Sequence, residues 1–137
     1  MSSNLRDAAL AALLAAGSQL AYGTDVKVVL TGDQEVPAVT TAAKGTGTIS
    51  IAADRSVTGT ITTSGITGTM AHIHEAPVGK NGPPVITLTK GANNTWSVPA
   101  GAKLTDTQYQ SFQAGNLYVN VHSDDHKGGE IRAQLKP

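Results

Sequence analysis

At 137 residues the chain is long enough for one domain with a real core and too short for two. Its ten basic and ten acidic side chains cancel, which argues against a nucleic-acid binder and against an acidic solvating tail. Cysteine is absent, so disulfide scaffolds, thiolate zinc sites, blue-copper centres and cysteine nucleophiles are excluded.

The apolar run AALAALLAA over residues 8–16, followed by Ala21-Tyr22-Gly23, has the form of a secretory signal peptide over residues 1–23. It is too short to span a bilayer. The mature β domain, 24–137, would then begin near Thr24 or Asp25 and work in a secreted or periplasmic setting. An N-terminal Ala/Leu helix packed on the domain is the alternative.

Beyond Gly23, short β-branched runs alternate with Gly, Pro, Asn and Asp, which predicts strands and turns. The strands fall at Val26–Leu30, Gly45–Ala52, Val57–Thr63, Thr69–His74, Val85–Thr89, Thr95–Val98, Leu117–His122 and Glu130–Leu135. The second and third form a hairpin closed by Asp54-Arg55-Ser56. One helix is expected over Thr105–Ala114, capped by Asp106 and stopped by Gly115. The fold class is therefore all-β: an antiparallel sandwich or small barrel of about eight short strands with one short helix near 105–114. Trp96 is expected in the core.

All four histidines lie in two short segments. His72 and His74 stand two apart on a strand and so share a face with Met70, while Ala71 and Ile73 point to the core. His122 shares a face with Tyr118 and Asn120, and His126 follows in a polar turn. If the two strands are neighbours, His72, His74 and His122 converge on one metal ion, with His126 as the fourth ligand. Imidazole suits Cu(II) and Zn(II), and three histidines leave a coordination position open. Copper is the first expectation and zinc the second. Glu75, Asp124, Asp125 and Glu130 are candidates to orient the rings or to supply a carboxylate. The competing reading is a hydrogen-bonded histidine cluster in a module that binds protein or glycan. Glu130 and Arg132 are expected in a cross-strand polar network. No serine elbow or carboxylate pair nominates a catalytic residue.

Three motifs resemble the CHRD domain, named from chordin and found in bacterial secreted proteins. They are Leu30-Thr31-Gly32-Asp33-Gln34-Glu35-Val36-Pro37, then Ala71-His72-Ile73-His74-Glu75 with Gly79, Asn81, Gly82, Pro83 and Val85, then Leu117–Ser123 with Gly129–Leu135. The resemblance covers about Val26 to Leu135 and implies an extracellular or periplasmic all-β domain. A fainter likeness, limited to His72, His74 and Glu75, is to the copper-binding strand of copper–zinc superoxide dismutase. The bridging and zinc ligands of that enzyme, and its disulfide, have no counterparts here, so the likeness leaves copper reasonable and does not imply dismutase activity. An extracellular protein partner, or a homodimer through an exposed strand edge, completes the expectations.

Overall fold

The structure, a computed structural model, describes residues 23–137. The expected signal peptide lies outside the described residues except for Gly23. Nine strands follow in order: β1 (Thr24–Leu30), β2 (Lys44–Ile51), β3 (Val57–Ser64), β4 (Gly68–Glu75), β5 (Pro84–Thr87), β6 (Thr89–Lys90), β7 (Thr95–Ser97), β8 (Leu117–Ser123) and β9 (Ile131–Leu135). Helix α1 (Asp106–Gln113) lies between β7 and β8. Two open antiparallel sheets, β1-β2-β3-β7-β6 and β5-β4-β8-β9, make a sandwich and not a barrel.

Period-two patterning builds the core. Val26, Val28 and Leu30 of β1, Ile49 and Ile51 of β2 and Ile61 of β3 project from one sheet. Ala71 and Ile73, Val119 and Val121, and Ile131 and Leu135 meet them from the other. Each large aliphatic chain buried this way contributes roughly 1.5–3 kcal/mol. Trp96 is 3% exposed and belongs to this core, as its sequence context predicts.

The hairpin forms as expected, with Ile51 opposite Val57. Asp54 takes hydrogen bonds from the Ser56 amide and hydroxyl, which lets Arg55 hold φ 75° in the turn.

Two expectations need correction. The single strand over Val85–Thr89 is two strands, because the chain changes sheets at Leu88: β5 pairs with β4, and β6 pairs with β7. Leu88 is buried at the crossing and its amide donates to the Ala71 carbonyl, so an unbroken apolar run conceals the switch. The helix cap is Thr105 rather than Asp106. The Thr105 side chain accepts from the Gln108 amide and the Gln108 side chain accepts from the Thr105 amide, a reciprocal capping box.

The second sheet positions the site. Its apolar face enters the core, and alternation places His72 and His74 of β4, Tyr118, Asn120 and His122 of β8, and Arg132 and Gln134 of β9 on the opposite face. That polar face is covered rather than open: every residue of β8 is buried. The segments over it come from residues 35–39, 76–83 and 124–130, through contacts described below.

Candidate metal centre

Strands β4 and β8 are antiparallel neighbours with Met70 opposite His122, His72 opposite Asn120 and His74 opposite Tyr118. This register brings His72, His74 and His122 together: one nitrogen from each lies within 4.8 Å of the others. His72 Nδ1 is 3.1 Å from His122 Nε2. The two rings are hydrogen-bonded to each other at this distance, which is also close to the roughly 3.3 Å between two nitrogens on one tetrahedral ion at about 2.0–2.1 Å. His74 and His122 are buried and His72 is half-buried.

Backbone carbonyls orient two of the rings. His74 Nδ1 is 3.0 Å from the Gly82 carbonyl and His122 Nδ1 is 2.8 Å from the Lys127 carbonyl. A carbonyl only accepts, so in the neutral ring each Nδ1 carries the proton and each Nε2 presents a lone pair. The lone pair of His74 Nε2 is buried and has no hydrogen-bond partner. A buried acceptor without a partner is costly.

The loops delivering these carbonyls are themselves tied down. Gly82 runs so close to β4 that a Cβ there would collide with the Glu75 carbonyl. Its amide donates to the Tyr118 hydroxyl at 3.1 Å. Arg132, 1% exposed, donates to the Lys80 and Pro77 carbonyls and to the Asn81 and Gln134 side chains. Glu130 accepts from Ser123 and from Thr41, each at 2.7 Å, and the Ser123 hydroxyl accepts from the His126 amide. These bonds fix the turn that carries Lys127.

Burial holds both His72 and His74 below the ordinary histidine range, and the neighbouring imidazoles push the same way. At neutral pH these rings are uncharged, the state in which imidazole can ligate.

His126 does not join the cluster. It lines a cleft of about 360 Å³ with Glu35, Val36, Pro37, Val39, Asn81, Gly128 and Gly129, at the end of the Ser123–His126 turn. The carboxylates expected around the rings are not there either. Glu75 falls on the Ala71–Ile73 face by alternation, Asp124 and Asp125 are exposed, and Glu130 is engaged by hydroxyls. Carbonyls replace them as orienting groups. Glu130 and Arg132 do share a polar face, yet each serves a different loop.

Glu35 is the residue that sequence reasoning passed over. It is 4% exposed, with Asn120 Nδ2 3.5 Å from its Oε2. Burial pushes its carboxyl up to about 7, against the opposing pull of Arg132 and Asn120. Gly129, at φ 122°, leaves the room: a Cβ there would strike both Glu35 and Asn120.

A two-sheet β-sandwich with a covered triad of imidazoles able to hold a metal ion is the class that fold and site define. The family model of the CHRD domain matches residues 26–135, and the chain belongs to that family. No curated protein and no solved structure matches it. Among the described residues no helix is long and apolar enough to cross a membrane.

Proposed function

We propose that this domain binds one metal ion, copper before zinc, on His72, His74 and His122, and that it serves metal storage, delivery or redox chemistry outside the cytoplasm. The observation that carries the reading is His74 Nε2, a buried acceptor without a partner, beside two other imidazoles, one of them also turned with its Nε2 inward. Copper takes precedence because a divalent ion on imidazoles follows the Irving–Williams order. The apolar run over residues 8–16 supports export. The chain's own part is to hold three rings in place, fix two tautomers through Gly82 and Lys127, and keep competing water out with Tyr118 and the two loops. An ion bound there would offer the remaining coordination position to a small ligand or to an acceptor protein.

Calorimetric titration of the purified chain with Cu(II) and Zn(II), beside a His72→Ala/His74→Ala variant, tests this. One ion should bind per chain and the variant should lose it. A wild-type chain that binds neither ion overturns the reading in favour of a protein- or glycan-binding module with a hydrogen-bonded histidine cluster.

A further inference from the structure

We propose that Met70 adds a thioether to this centre and makes it a site for Cu(I); the inference rests on the metal reading above. Met70 stands directly opposite His122 in the β4–β8 ladder, where facing Cβ atoms are about 4.5–5.5 Å apart. Alternation along β4 puts it on the face of His72 and His74. On the other side of β4, strand β5 pairs with His72, Ile73 and His74 and stops short of Met70. The side chain is therefore left 52% exposed, next to the half-buried His72.

Packing does not account for this methionine. It is not part of the hydrophobic cluster, and an unbranched side chain gains little from a solvent-facing strand position. Its flexible chain and polarizable sulfur suit a mobile ligand at the edge of a site. Thioether sulfur is soft and selects Cu(I), whereas imidazole nitrogen serves Zn(II) and Cu(II) as well. Three imidazoles alone would accept any of these ions. An added thioether biases the centre toward the reduced one. The only sulfur atoms in the chain belong to Met1 and Met70, so a copper–sulfur signal that disappears on substituting Met70 has a single source.

The test uses the full chain, Met70→Leu and His72→Ala/His74→Ala. Each is titrated with Cu(I) anaerobically against bathocuproine disulfonate, with Zn(II) against a colorimetric chelator, and examined by copper X-ray absorption. Met70→Leu should weaken Cu(I) binding at least tenfold, leave Zn(II) affinity within about twofold, and remove the sulfur scatterer. The double histidine variant should lose both ions. Equal Cu(I) affinity in wild type and Met70→Leu, with nitrogen scatterers only, overturns the role of Met70 while the imidazole site stands. A parallel loss of both metals in Met70→Leu also overturns it, since that makes the methionine structural. A wild-type chain that binds no metal removes both readings together.

Discussion

Tyr118 stacks flat on His74, with 4.7 Å between ring centres and 6° between planes, and the Arg132 guanidinium lies 3.4 Å from the centre of the same tyrosine ring. His74 comes from the strand on one side of β8 and Arg132 from the strand on the other. The aromatic ring thus couples an imidazole of the histidine cluster to the cation that anchors the 76–83 loop. Tyr118→Leu removes the stack and the hydroxyl, and metal affinity should fall about 10–100-fold. Tyr118→Phe keeps the stack and loses only the bond to Gly82, so its loss should be no more than about tenfold. Titration of both variants separates the two contributions.

Arg132 holds the loop with a fork of donors that lysine cannot reproduce. Arg132→Ala takes the donor away from the Lys80 and Pro77 carbonyls and from Gln134 Oε1, and should cost roughly 1–3 kcal/mol of folding stability, read from urea unfolding. Arg132→Lys should recover only part of that loss. Full recovery would mean that charge, rather than the planar fork, holds the loop.

Ligand binding to the folded state alone raises stability by RT ln(1 + [L]/Kd), about 2.7 kcal/mol at a hundredfold excess over Kd. For a domain of this size that amounts to a rise of roughly 10 °C in Tm. Zn(II) should produce it in the wild-type chain, and a chelator should reverse it. His72→Ala/His74→Ala should melt at one temperature with or without the ion.

Acid and base act on this domain through groups of opposite sign. The folded rings of His72 and His74 resist protonation below the ordinary value of 6.5. The unfolded chain therefore binds more protons there, and their contribution to stability is lost as pH falls below 6.5. Glu35 behaves the other way: its folded carboxyl titrates at about 7 against 4.5. Its contribution is complete below 4.5 and is lost as pH rises through 7. Glu35→Gln should erase that decline, worth on the order of 2 kcal/mol, and leave only the acid limb set by the histidines. Unfolding midpoints from pH 4 to 8 decide it; a variant profile parallel to wild type would put Glu35 in water.

Much of this was legible because alternation in a strand is strict. His-X-His had to share a face, and Leu117, Val119 and Val121 had to face the core, so the neighbouring of β4 and β8 was enough to gather the triad. What could not be read were groups without a residue signature. The carbonyls of Gly82 and Lys127 orient the rings through the backbone, which every residue possesses. Carboxylates were expected in that role because only side chains can be seen in a sequence. Glu35 looked isolated because the segment carrying it folds back over β8 from 85 positions away. His126 lies outside the group of three for the opposite reason. Closeness along the chain to His122 says nothing about direction once a turn intervenes.

The most direct test of the site is a Zn(II) titration of chain labelled with nitrogen-15 in its histidines, followed by imidazole nitrogen NMR. Before metal, His74 and His122 should each show a protonated Nδ1 and a bare Nε2. At one equivalent of Zn(II), nitrogens of His72, His74 and His122 should shift together while those of His126 stay put. Shifts confined to His126, or to none of the four rings, would contradict the three-imidazole centre.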